Sequence, residues 1–264
     1  MRRLLGLLLV TLAWPAFVQA QDIRVPAGLH GDGIDRAMPV LAREVKAVYR
    51  DDDRQRYLGT LFRLQLVAGQ YPQALESIHA IRALRNDGAS QPPLYLQYEL
   101  YVRAKDAQVK RGTQLGQAWR EAFARHFGGL DDKVALQAEF GFGGFLPRMR
   151  GDLDAALKKI EGRKRLPLTE AIELVRAYQV HAAYATFLPL FDAALKDDDA
   201  RRYAVDRNAL VPTPDDAGIS TLVVRPAKAP PLPALLTFTI YANDDWAWAD
   251  AKKMAAHGYA GVVA

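Results

Sequence analysis

The chain contains no cysteine, so disulfide staples, thiolate metal sites and thiol nucleophiles are excluded. Serine is almost as scarce: Ser77, Ser90 and Ser220 are the only three. No segment after the first twenty residues is apolar enough over a sufficient length to span a bilayer. Charge of one sign is also lacking. The formal excess is +5 in 264 residues, and Arg2 and Arg3 contribute to it from a segment expected to be removed. A surface so mixed gives no case for a nucleic-acid partner. What is present is ordinary globular material, half hydrophobic and a quarter charged, enough for one large or two modest domains.

The N-terminus reads as a secretory signal peptide over residues 1–20. Arg2 and Arg3 form a positive start, Leu4 to Leu12 are almost all apolar, and Val18-Gln19-Ala20 places small residues where a signal peptidase reads them. The run is short for a membrane anchor and is interrupted by Trp14-Pro15. The expectation is an exported chain, secreted or periplasmic, with no membrane attachment after cleavage near Ala20.

Residues 21–202 read as an irregular helical domain. Pro26, Gly28, Gly31 and Gly33 make 21–33 an irregular lead-in. Tyr57, Leu58, Leu61, Phe62, Leu64, Leu66 and Val67 recur near the helical period. Gly69-Gln70-Tyr71-Pro72 breaks that helix, and a second carries Ala74, Leu75, Ile78, Ile81 and Leu84 up to a left-handed cap at Asn86-Asp87-Gly88. This pair resembles one tetratricopeptide-type unit on Leu66, Ala68-Gly69, Tyr71 and Ala74-Leu75. No second copy follows, so a regular solenoid is not expected. Further helices are predicted at about Pro93–Lys105, Thr113–His126, Asp152–Glu161, Thr169–Tyr178 (with Thr169 as cap) and His181–Lys196, with a turn at Gly141–Gly144.

The pattern changes near Arg202. Tyr203–Val211 and Ile219–Arg225 read as strands joined by the turn Pro212-Thr213-Pro214-Asp215-Asp216. After a proline-rich link, Ala234–Ile240 is a continuous apolar run, the pattern of a strand buried on both faces. Asp244 or Asp245 caps a helix that runs to His257, Gly258 ends it, and Tyr259–Ala264 begins another buried strand. The fold class expected is a mainly α domain followed by the incomplete start of a mixed α/β sheet, antiparallel first and then a parallel crossover.

Residues 203–264 resemble the N-terminal part of the catalytic domain in the cocaine esterase / X-Pro dipeptidyl-peptidase (CocE/NonD) group of α/β-hydrolases. The resemblance is carried by Val211-Pro212-Thr213-Pro214-Asp215-Asp216, Leu222-Val223-Val224-Arg225-Pro226, Leu232-Pro233-Ala234-Leu235-Leu236 with Ile240-Tyr241, and His257-Gly258-Tyr259-Ala260-Gly261-Val262-Val263. It implies a serine hydrolase that cleaves esters, acyl amides or peptides next to proline, with a small ester or peptide as its partner and no cofactor or metal. It also implies that Tyr241, just after the third strand, gives its hydroxyl to the oxyanion hole. On position alone Tyr241 would be a strand-end aromatic. The family's nucleophile sits on a G-x-S-x-G elbow, and none of the three serines lies in one, so the triad Ser, Asp and His are expected to be absent from this chain. The chain then reads as an N-terminal fragment, silent by itself, with Ala234–Ile240 as an unpaired apolar edge. The competing expectation is a helical module that holds a peptide or protein partner without catalysis.

Other candidates read as structural. His30-Gly31-Asp32-Gly33 is a loop and not a lipase-type His-Gly-Gly motif. His79, His126, His181 and His257 lack partners at metal-ligand spacing. Asp51–Asp53 and Asp197–Asp199 read as solvated helix boundaries rather than cation loops. Trp246 and Trp248 are placed either on the wall of an acyl pocket or against the sheet.

Overall fold

A computed structural model describes residues 22–264 apart from His30, Asp87, Ala89, Tyr241 and Ala242. The expected leader, residues 1–20, lies outside the described residues, as does His30 of the expected loop. No described helix is long and apolar enough to cross a membrane.

The chain enters as a short strand, β1 (Asp22–Arg24), and turns into α1 (Ile34–Val48). The lead-in is therefore not wholly irregular. β1 pairs antiparallel with β2 (Arg165–Pro167), and Ile23 between two exposed neighbours is buried against α1. The helices α2 (Arg54–Val67) and α3 (Tyr71–Arg85) follow. They meet where Gly69 turns the chain at φ 79°, a left-handed conformation that glycine adopts without strain. α3 starts with Pro72 in its first turn, where a missing N–H costs nothing, and ends on Asn86 at φ 53° as the sequence predicts.

Next come α4 (Leu96–Arg111), α5 (Leu115–His126), α6 (Asp132–Ala138) and α7 (Leu146–Lys159). α6 was not foreseen: it is only two turns long, but Asp131 caps it by accepting a hydrogen bond from the Lys133 N–H at 3.0 Å. The two helices expected at 169–178 and 181–196 are one, α8 (Leu168–Arg202), because neither glycine nor proline stands between them. Pro189 lies inside α8 on an exposed face. Thr169 is not its cap. Pro167 holds that position, and Glu170 in the first turn pairs with Arg163 at 2.6 Å.

At 35 residues α8 is roughly 50 Å long. Its first half, with Leu174 and Val175, closes a core over α1, α7 and the β1–β2 pair. Its second half, with Ala183, Phe187 and Phe191, closes another core of α2–α6. That second core is aromatic: Trp119 stacks on Phe187 at 6.0 Å, Phe123 on Phe127 at 4.4 Å and Phe142 on Phe191 at 4.9 Å.

α8 passes without a loop into a mixed sheet. β3 (Tyr203–Pro212) and β4 (Gly218–Pro226) form an antiparallel hairpin with a register shift between Asp206 and Ala209. β5 (Ala234–Thr237), α9 (Asp244–Ala256) and β6 (Ala260–Val263) complete it, in the order β3-β4-β6-β5. β6 is antiparallel to β4 and parallel to β5. α9 packs on β4 and β6, and its Ala251 backbone lies so close to Gly261 that any Cβ there would collide with it. Asn243, rather than Asp244 or Asp245, caps α9, its side chain accepting from the Trp246 N–H at 2.9 Å. Gly258 at φ 87° ends the turn after it.

One expectation about this sheet is overturned. Ala234–Ile240 is not buried on both faces. Its strand part is only Ala234–Thr237, and Leu236, Phe238 and Ile240 are 64%, 67% and 85% exposed. β5 lies at an edge with a ladder neighbour on one side, and α9 packs on β4 and β6 instead. The architecture is thus mainly helical with a small mixed four-stranded sheet.

Candidate functional site

The parallel pair β5 and β6 directs its carboxyl ends to one end of the sheet, the position where α/β folds place ligands. The Thr239 N–H donates to the Ala264 carbonyl at 2.9 Å, and the Ala264 N–H to the Thr237 carbonyl at 3.0 Å, which prolongs the pairing to that end. The chain then leaves the sheet through 240–243 to the N-terminus of α9. Tyr241, the one residue to which the resemblance gives a chemical role, lies on this connection but outside the described residues. Among the described residues near it in the chain, Phe238 and Ile240 before it are exposed, and Trp246, in the first turn of α9, is 67% exposed. Trp248 is different. It is half-buried against the small sheet core, with the Arg207 guanidinium 5.2 Å and the Lys252 ammonium 6.0 Å from its ring. Of the two placements given to the tryptophans, packing on the sheet holds for Trp248 and not for the exposed Trp246.

Among the described residues, no serine hydroxyl is hydrogen-bonded to a histidine or a carboxylate. Ser77 is buried in α3 and donates to Gln65 Oε1 at 2.7 Å. Ser220 is in β4, paired with Leu210 of the hairpin, and Ser90 lies in the loop before α4. No cluster of three or more His, Asp or Glu side chains among the described residues has the geometry to hold a metal ion. His79 lies 3.4 Å from Glu99, and His257 is at the end of α9, its Nδ1 2.8 Å from the Lys253 carbonyl. His126 and His181 are half-buried, and burial pushes both below the usual imidazole range, the arginines nearby adding to the effect.

The acidic runs divide. Asp51 is held by Arg56, whose hydrogen bonds pull its carboxyl down to about 2, and Asp53 caps α2. Asp198 and Asp199 correct the expectation of a solvated boundary: both are buried. Arg202 Nε donates to Asp198 Oδ2 at 2.6 Å, its Nη1 to Asp132 Oδ1 at 2.6 Å and to the Leu130 carbonyl, and its Nη2 to the Phe127 carbonyl. Lys252 of α9, 4% exposed, lies 2.8 Å from Asp199 and 2.7 Å from Glu139. These six charged groups join the helical region to the sheet. Burial raises the Asp199 and Glu139 carboxyls above their ordinary range, with Lys252 opposing the rise. The i,i+4 spacing of Asp198 and Arg202 was visible in the sequence; Lys252 and Glu139, far away in the chain, gave no such signal.

A second buried charge stabilises the α3–α4 contact. Burial works against the Glu99 carboxylate, but Arg82 at 2.5 Å and Arg103 at 2.6 Å outweigh it and bring the group down to about 2.

A cavity of about 700 Å³ is elsewhere, inside the helical region. Tyr71, Tyr101 and Tyr178 line its polar side and Leu66, Leu115 and Leu153 part of its apolar side. Sequence reasoning missed it, because its residues come from both ends of the helical region.

Comparison with known proteins returns no matching family model, curated protein or solved structure.

Proposed function

We propose that residues 203–264 are the opening strands of a serine α/β-hydrolase catalytic domain of the cocaine esterase / X-Pro dipeptidyl-peptidase kind, in an exported protein. The observation that carries this reading is the strand order β3-β4-β6-β5, an antiparallel hairpin followed by a parallel strand–helix–strand unit whose later strand lies inside. In that family the third strand of the sheet lies beside strands that come later in the chain. β5, third here, has β6 on one side and an exposed, apolar edge on the other. An unprotected edge of this kind is normally paired or covered in a finished sheet.

The chemistry is acyl transfer. A serine adds to an ester or amide carbonyl, and negative charge develops on the carbonyl oxygen. The Tyr241 hydroxyl, on the connection after the third strand, donates to that oxygen; this connection is the source of one oxyanion donor in α/β-hydrolases. The nucleophile is none of Ser77, Ser90 and Ser220, because none stands on a strand–turn–helix elbow. The exposed Phe238, Ile240 and Trp246 would wall the acyl side of the cleft. Substrates are small esters, acyl amides or proline-adjacent peptides, and neither cofactor nor metal takes part.

Tyr241→Phe tests the assignment. In the protein isolated from its native cells, the variant should lower kcat on p-nitrophenyl acetate by about 10²–10³ with little change in KM, as for loss of one oxyanion donor. The isolated 264-residue chain should show no turnover. An unchanged kcat in the variant removes Tyr241 from the mechanism.

A further inference from the structure

A second pocket, about 430 Å³, opens between the first turns of α2, the start of α4 and the first half of α8. Its volume falls among ligand pockets, which run from about 300 to 1,000 Å³. Three arginines line it: Arg56 and Arg63 of α2 and Arg176 of α8. Arg56 is already held, by both carboxylate oxygens of Asp51. Asp53 is the one carboxylate on the lining, and its Oδ1 accepts from the Arg56 backbone N–H at 2.8 Å.

Arg63 and Arg176 differ from Arg56. Neither has a carboxylate at ion-pair distance among the described residues. Arg63 is half-buried, its guanidinium 4.8 Å from the Phe62 ring, 5.5 Å from the Tyr95 ring and 4.8 Å from the Tyr98 ring. These ring faces stabilise the cation but accept none of the hydrogen bonds along its edge. Nη1 donates to Gln179 Oε1. Nε and Nη2 make no hydrogen bond among the described residues, and both remain open to water.

Gln179 stands three residues after Arg176 on α8. Residues so spaced are neighbours on a helix surface, with Cβ atoms about 5–6 Å apart. The bond to Gln179 therefore sets the Arg63 guanidinium beside Arg176. Two guanidiniums cannot relieve their repulsion by losing a proton, because arginine stays charged. An oxyanion between them relieves it, and the planar fork of each matches a carboxylate or a phosphate. The rest of the wall includes Leu64, Ile172 and Val175. Tyr95 keeps its ring there at φ 61°, a left-handed backbone that costs a residue with a side chain about 1–2 kcal/mol.

We propose that this pocket binds a small molecule with one oxyanion, a carboxylate or a phosphate monoester, on an apolar body, the oxyanion bridging Arg63 and Arg176. The site does not depend on the hydrolase reading, since none of its lining residues lies in 203–264.

Calorimetric titration of the 264-residue chain with phenyl phosphate, benzoate and benzyl alcohol, in a phosphate-free buffer, tests it. At least one of the two anions should bind one-to-one, with the neutral alcohol at least roughly tenfold weaker, the effect of losing the charge-assisted contacts. Tighter phenyl phosphate would identify a phosphate monoester, and tighter benzoate a carboxylate. Arg176→Gln, at an exposed position, should leave the melting temperature unchanged and weaken the anion roughly tenfold. Arg63→Lys keeps the charge but not the fork, and should weaken the anion severalfold. Arg24→Gln, an exposed arginine outside the pocket, should change nothing. The proposal is overturned if neither anion binds, if the alcohol binds equally, if Arg176→Gln leaves the anion's affinity unchanged, or if Arg24→Gln lowers it as much.

Discussion

Lys252→Met should destabilise the protein by about 3–5 kcal/mol at pH 7, because it leaves the buried Asp199 and the half-buried Glu139 carboxylates without their counter-ion. Asp199 and Glu139 both lie within 2.8 Å of the Lys252 ammonium, and Lys252 and Asp199 are nearly closed to water. Their carboxyls are raised by burial even with the lysine present. A carboxyl raised in the folded state favours folding fully below its unfolded value and loses that contribution as pH rises through the folded value. Without Lys252 the folded values rise further. The loss in the variant should therefore be complete at neutral pH and shrink as the solution is acidified towards the unfolded carboxylate range, about pH 4. Urea unfolding at pH 7 and pH 4.5 measures both. Adding Asp199→Asn and Glu139→Gln to Lys252→Met should recover much of the loss, since replacing a whole buried ionic cluster by neutral groups is far less costly than breaking it. A loss below about 1 kcal/mol, or one independent of pH, would mean that the cluster is solvated and does not join the helical region to the sheet.

Trp119→Ala should cost a similar amount, about 3–5 kcal/mol, in the aromatic core. Trp119 is fully buried, stacked on Phe187 and 5.2 Å from Phe123, and Phe142 meets it edge-on at 6.4 Å. Truncation leaves a cavity among rings whose own neighbours hold them in place, so the site collapses poorly. The indole N–H has no acceptor among the described residues. Trp119→Phe removes that unpaired donor while keeping a ring, and should cost much less than the alanine variant. Urea midpoints separate the two, and equal losses would show that burial of the ring is not what Trp119 contributes.

The local signals are legible in the sequence. The break at Gly69–Tyr71, the Asn86 cap, the turn between Pro212 and Asp216 and the stop at Gly258 each depend on a few adjacent residues whose backbone preferences decide the outcome. The parallel β5–α9–β6 unit followed from the same kind of evidence. What failed was non-local. β1 pairs with a strand more than a hundred residues away, and neither three-residue segment advertises it. Asp198 and Asp199 are polar by type and buried by context, because Arg202 and the distant Lys252 neutralise them. Ala234–Ile240 has the composition of an enclosed strand, yet side chains are enclosed only where other elements cover the faces of the strand, and α9 packs on β4 and β6 rather than on β5. The cavity was invisible for the same reason: Asp35, Lys105 and Gln179 come together only through packing of α1, α4 and α8. Tyr241, by contrast, was singled out by the resemblance and not by spacing, and its role stands or falls with the hydrolase reading.

The most direct measurement of that reading is labelling with an alkyl fluorophosphonate of the protein taken from its native cells, followed by mapping of the modified serine. The account predicts one labelled serine, distinct from Ser77, Ser90 and Ser220, in a protein that carries residues 203–264. Absence of labelling, or a label on one of those three serines, would contradict it.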